Sequence, residues 1–135
     1  MGKTRVQVVD DNEMFIEMAK FVLTQAGYEV ETASDAEIAI SKIPVFQPDL
    51  ILMDIQMPVI DGIELTKRLK ADQATRKIPI IAFTAYATKG DEHDLKAAGF
   101  DGYIGKPVDV TTLAAEVAFW VEGPESARRS RFVWP

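Results

Sequence analysis

Five short apolar runs alternate with five longer stretches in which apolar residues recur every three or four positions. The runs lie near Arg5–Val9, Glu29–Thr32, Leu50–Met53, Ile80–Phe83 and Gly102–Ile104. Runs such as LILM and IPIIAF lack in/out alternation, which marks strands buried on both faces, as in a parallel sheet. The gaps between runs are long enough for crossover helices, and such crossovers are right-handed. The pattern predicts an α/β fold, a (βα)5 doubly wound five-stranded parallel sheet. The order expected for such a sheet is 2-1-3-4-5, with ligands bound where strands 1 and 3 diverge.

The first helix is predicted from Asn12 to Ala26, with Phe15, Ala19, Val22 and Leu23 inward and Gly27 as its stop. Ser34 reads as the N-cap of the second, with Glu37 completing a capping box. Ile38, Ala39 and Ile43 form its buried stripe, and Pro44 is expected to end it. The third starts at Asp61-Gly62 and buries Ile63, Leu65 and Leu69. The fourth, Lys89 to Ala98, turns only Leu95 and Ala98 inward and should be the least firmly packed. The fifth, Val110 to Val121, faces the sheet with Leu113, Ala114, Val117 and Val121. On that assignment Phe119 and Trp120 cannot both face the core, so at least one is expected at the surface, as a partner or dimer contact or beneath the tail. Gly123-Pro124 breaks the helix. The expected division is a domain over residues 1–122 and a basic, aromatic tail or linker stub over 123–135, whose Arg128, Arg129 and Arg131 read first as a disordered segment.

The length of 135 residues fits one domain with a real core. A net charge of -6 argues against general nucleic-acid binding. The absence of cysteine excludes disulfides, thiol catalysis and zinc-thiolate sites. No apolar stretch approaches the roughly 20 residues of a membrane helix, and no secretory apolar region is present. The expectation is a cytoplasmic protein without a membrane partner.

The chemistry lies at the strand ends. Asp54 closes the third strand, Asp10 and Asp11 follow the first, and Lys106 follows the fifth. Adjacent carboxylates repel unless a cation lies between them, and hard oxygen ligands suit magnesium. The simpler reading of Asp10-Asp11-Asn12-Glu13 is a helix N-terminus, which favours acids. Asp54 has two open roles, third metal ligand and nucleophile, since a carboxylate can attack phosphorus to give an acyl phosphate. Lys106 can neutralise phosphoryl charge as a compact cation. A hydroxyl at Thr84, at the end of the fourth strand, can donate to a phosphoryl oxygen. His93, the one histidine, lies among charges and reads as part of a solvated face.

Together VVDDNE, LILMDIQMP..DG, IIAFTA and YIGKP, in this order on successive strands, resemble the receiver domain of two-component response regulators. The resemblance covers residues 4–121. TAYATKGDE and the lack of an output domain make it most similar to single-domain regulators of bacterial cell-cycle and polarity pathways. It implies a flavodoxin-like fold and a phosphoacceptor role for Asp54, served by a histidine kinase or phosphotransfer protein. It implies magnesium on Asp11, Asp54 and the Gln56 backbone carbonyl, with Asp10 acting through a water. Thr84 and Lys106 would grip the phosphoryl oxygens. Tyr103 matches the aromatic that swings inward with Thr84, switching the face of helix 4, strand 5 and helix 5 for a downstream protein. The same face would serve a homodimer. Gln56 and Tyr86 occupy the positions that tune phosphate lifetime. An aspartyl-nucleophile phosphohydrolase is the alternative, but it needs an acid where Gln56 stands, and an amide cannot transfer the proton.

Overall fold

Strands β1 (Arg5–Val9), β2 (Glu29–Ala33), β3 (Leu50–Asp54), β4 (Ile80–Thr84) and β5 (Gly102–Gly105) pair in parallel, in the order β2-β1-β3-β4-β5. Helices α1 (Glu13–Gln25), α2 (Ala36–Phe46), α3 (Gly62–Ala71), α4 (Lys89–Ala98) and α5 (Val110–Glu122) each follow a strand. The structure, a computed structural model, describes residues 3–55, 57, 60–84, 89–105 and 110–122. Among the described residues no helix is long and apolar enough to cross a membrane.

Side chains alternate along the central strands between two helical layers. Val6, Val8, Leu50, Leu52, Ile81 and Phe83 share one core with Ala19 and Leu23 of α1 and Leu113 and Val117 of α5. Val9, Ile51, Met53, Ile80 and Ala82 share the other with Ala39 and Ile43 of α2, Leu65 and Leu69 of α3, and Leu95 and Ala98 of α4. Covering on both faces is why these strands are apolar at consecutive positions. Each fully buried aliphatic side chain contributes about 1.5–3 kcal/mol. Four strands extend one residue beyond the predicted end, so Asp54 still lies in the sheet, opposite Phe83.

The helix ends follow local chemistry, with two departures from expectation. Asn12 caps α1 by accepting from Phe15 N (3.0 Å), and Asp61 caps α3 by accepting from Glu64 N (2.9 Å). In α2 the cap is Asp35 rather than Ser34, accepting from Ile38 N at 2.9 Å. Starting the helix at Ala36 puts Ala36, Ala39 and Ile43 on the buried side, and that packing decides the frame. Pro44 does not end α2; it lies inside the helix, which runs to Phe46. The bond its missing N–H would have made is to the Ile40 carbonyl, and both residues are exposed, so water can take its place. Gln47, at φ 53°, closes the helix by donating to the Ile43 carbonyl at 2.8 Å. Gly27 (φ 101°) stops α1 as expected, with Tyr28 N bonded to Leu23 O at 3.0 Å.

Phe119 and Trp120 correct another expectation, since both are buried, at 8% and 5% exposure. The periodicity argument allowed α5 a single buried side. In the fold α5 packs on the sheet and also against α1, and the two rings meet edge to face at 5.2 Å. A second buried side therefore exists for the second ring.

Thr66 of α3 is fully buried, and its hydroxyl has no hydrogen-bond partner among the described residues. An unpaired buried hydroxyl costs about 1–3 kcal/mol. Thr66→Val keeps the shape and removes the hydroxyl, so it should raise stability by about 1 kcal/mol in urea denaturation. A loss of stability would show that the hydroxyl is satisfied.

Candidate functional site

The site is built where β1 and β3 end side by side. Asp10 continues the line of β1, donating its N–H to Ala33 O at 3.1 Å, and its side chain is fully buried. Its Oδ1 accepts from Asn12 N at 2.9 Å. Asn12 supplies the α1 cap and Glu13 lies in its first turn, which fits the helix N-terminus reading of Asp10-Asp11-Asn12-Glu13 at those two residues. Asp11 is exposed, and Asp54 is buried at the end of β3. The three residues each bring a carboxylate oxygen within 4.8 Å of the others.

Such proximity is costly without a counter-charge. Two unit charges at 4 Å repel by about 1 kcal/mol in water and about 4 kcal/mol at the effective dielectric near a protein surface. With Asp10 and Asp54 buried, the repulsion lies towards the upper figure. An all-oxygen set of this kind fits a hard divalent cation and offers nothing to a soft one. The clustered acids therefore fit magnesium.

The chain after Asp54 turns back tightly. Ile55 N donates to Phe83 O at 3.4 Å, and Gly62 N donates to Ile55 O at 2.9 Å. Gly62 packs directly on the backbone of the site. A Cβ there would collide with the Asp54 carbonyl oxygen and lie 3.0 Å from both Asp54 C and Ile55 Cα. Met57 is buried beside this turn, as core filler.

Of the predicted site residues, Asp10, Asp11 and Asp54 are brought together. Thr84 ends β4 with its backbone in register with Gly105, the residue before Lys106. Tyr103 is half-buried on β5, opposite Ala82, and packs against the core under α2, α3 and α4. His93 is exposed on α4, as its charged surroundings implied. Gln56, Tyr86, Lys106 and the tail 123–135 lie outside the described residues. Sequence reasoning had placed Asn12 at the helix N-terminus and read Gly62 only as a helix start. Asn12 directly before a helical period was a legible cap signal, whereas nothing in the sequence shows the approach of α3 to Asp54.

A surface cavity of about 430 Å3 lies elsewhere, between β2 and α2, lined in part by Arg5, Glu31 and Lys42. There Lys42 Nζ donates to Glu31 Oε1 at 2.8 Å, and that hydrogen bond holds the Glu31 carboxyl below its usual range. It shares no residue with the acidic cluster.

Fold and site together define a class. The profile of the response regulator receiver domain matches residues 6–118, and the chain belongs to that family, the receiver domains of two-component signalling. Among its relatives is the polar-differentiation response regulator DivK of Brucella ovis, 44% identical over 106 residues, covering 78% of this chain and 85% of DivK. The Vibrio cholerae chemotaxis protein CheY4 superposes with a TM-score of 0.83 at 32% identity, covering 89% of this chain and 99% of CheY4. The Mn(2+)-bound form of response regulator Rcp1 shares the fold, with a TM-score of 0.77 at 19% identity over 90% of this chain and 96% of that one.

Proposed function

We propose that this receiver domain, residues 1–122, accepts a phosphoryl group on Asp54 and passes the event on by binding partners. The observation that carries the reading is the convergence of Asp10, Asp11 and Asp54 at the carboxyl edge of the sheet. An Asp54 carboxylate oxygen forms a bond to phosphorus while the P–N bond of a phosphohistidine breaks. The electron pair leaves with the imidazole nitrogen. The donor is a histidine kinase or phosphotransfer protein. Asp11, Asp54 and the Gln56 carbonyl would hold magnesium, with Asp10 acting through a water. The ion would supply charge neutralisation as the loose transition state forms. Burial of Asp54 limits the access of bulk water to the acyl phosphate.

Phosphorylation adds about -1.5 to -2 charge and three acceptor oxygens. Thr84 and Lys106 are drawn to them, and Tyr103 follows Thr84. The face of α4, β5 and α5 is the switched surface, for a downstream protein or a second copy. Among the described residues α4 is tied to the core by Leu95 and Ala98, a light attachment suited to a moving element. Similarity to polar-differentiation regulators favours a role in cell polarity or the cell cycle, in the cytoplasm. The chemistry is tested with phosphoramidate, a small P–N donor. An adduct labile to hydroxylamine should form, and an adduct resistant to it would contradict an acyl phosphate.

Gln56 and Tyr86 are large enough to crowd the path of an attacking water, so slow self-dephosphorylation is expected. Tyr86→Ala should speed acyl-phosphate decay several-fold. An unchanged decay rate would remove Tyr86 from that role.

A further inference from the structure

Among the described residues β2 is an edge of the sheet, so half of its backbone groups face no neighbouring strand. Glu29 N donates to Thr4 O, and Asp10 N donates to Ala33 O. Glu29, Glu31 and Ala33 therefore turn their backbone groups towards β1. Directions alternate along a strand, so Val30 and Thr32 turn theirs outward. Such a row is a template on which another strand can pair.

Thr32 is already engaged by side chains. Its carbonyl accepts from Lys42 Nζ at 2.6 Å, and its N–H donates to the Glu31 carboxylate. Lys42 Nζ also donates to Glu31 Oε1 at 2.8 Å, which closes the ring of contacts. Lys42 reaches the strand from α2 and lines two surface cavities, of about 430 and 350 Å3. Glu29 and Glu31 line the first, and Thr32 and Ala33 the second. The lysine thus stands across a groove that follows the strand.

The row itself is complementary to β2 of a second copy. Laid antiparallel with Val30 opposite Thr32, the two strands exchange both outward pairs of backbone groups, and the contact closes under a two-fold axis. An axis normal to the sheet sets the α2 helices of the two copies on the same face. Val45, 87% exposed and lining the groove, would be covered there. The same arrangement brings Glu31 of one copy directly opposite Glu31 of the other, and like charges so placed destabilise a strand pair.

We propose that Lys42 and Glu31 form a latch that closes the β2 edge against a second copy of the chain. Lys42 occupies the Thr32 carbonyl, and Glu31 occupies the Thr32 N–H and repels its counterpart. The two side chains keep 36% and 42% of their surface exposed, so the latch lies over the edge rather than in the core. A consequence, resting on the phosphoacceptor reading, is that self-association is left to the other edge strand, β5, where the switched face lies.

The chain has no cysteine, so Glu31→Cys places a unique thiol where the two-fold axis would pair it with itself. Opposed Cβ atoms in such a pair lie about 4.5 Å apart, within reach of a disulfide. Under mild oxidation Glu31→Cys with Lys42→Met should form a disulfide-linked dimer roughly tenfold faster than Glu31→Cys alone, because two Thr32 carbonyls are freed per dimer. Glu31→Cys with Lys42→Arg should stay slow, since a guanidinium can still donate to Thr32 O. A neighbouring cation by itself favours the reactive thiolate, so the expected order runs against that effect. In sedimentation, Lys42→Met with Glu31→Thr should associate at concentrations where Lys42→Arg behaves as the wild type. Equal disulfide rates with methionine and lysine at position 42 would overturn the latch. So would a natively folded Lys42→Met, Glu31→Thr protein that sediments like the wild type. No phosphoryl donor is used, so the result stands apart from the role of Asp54.

Discussion

Replacing Gly62 with alanine should cost about 3 kcal/mol of stability and slow phosphoryl uptake by roughly ten- to a hundredfold. The added methyl meets the backbone carbonyl of Asp54, which cannot swing aside as the end of a flexible side chain would. Either α3 moves away from the sheet or the Asp54 peptide tilts. The first loses packing of Leu65 and Leu69, and the second misplaces the carboxylate. A displacement of about 1 Å at a reacting group is enough for a hundredfold loss. Gly105→Ala is the control, because a Cβ at that position meets no atom within 4 Å. Urea denaturation and the rate of adduct formation with acetyl phosphate check both parts. Normal stability and a normal rate in Gly62→Ala would show that α3 has room to yield.

Asp11→Asn should have opposite effects with and without magnesium. Without the ion it removes one of three clustered carboxylates, so the protein should become more stable, by about 1 kcal/mol for an exposed charge of this kind. With the ion, wild-type protein at tenfold excess over Kd gains about 1.4 kcal/mol by mass action. The variant should lose most of that gain. Thermal melts of both proteins with and without magnesium measure the crossover. A magnesium response undiminished in Asp11→Asn would remove Asp11 from the ion's ligands.

Much of this was legible because strand burial and strand-end chemistry both leave local traces. Consecutive apolar residues in Leu50–Met53 announced a strand covered on both faces, and Asp54 directly after them announced a carboxylate at the sheet edge. Parallel pairing then brought Asp10 and Asp11 beside it. What stayed hidden depends on neighbours distant in sequence. Trp120 and Phe119 are both buried because α1 lies against α5, a contact that periodicity within one helix does not encode. Gly62 is confined by the Asp54 peptide, which folding alone brings near. Pro44 sits inside α2 at an exposed position, as does Ile40, whose carbonyl the missing N–H would have met, so the local stop signal carried little penalty. Asp35 took the cap from Ser34 because burying Ala36 set the helical frame.

The phosphoacceptor role proposed for Asp54 is tested most directly by intact mass after incubation with magnesium and acetyl phosphate. One added phosphoryl group on the wild-type chain and none on Asp54→Asn is the expected result. No adduct on the wild type, or an undiminished adduct on Asp54→Asn, would contradict it.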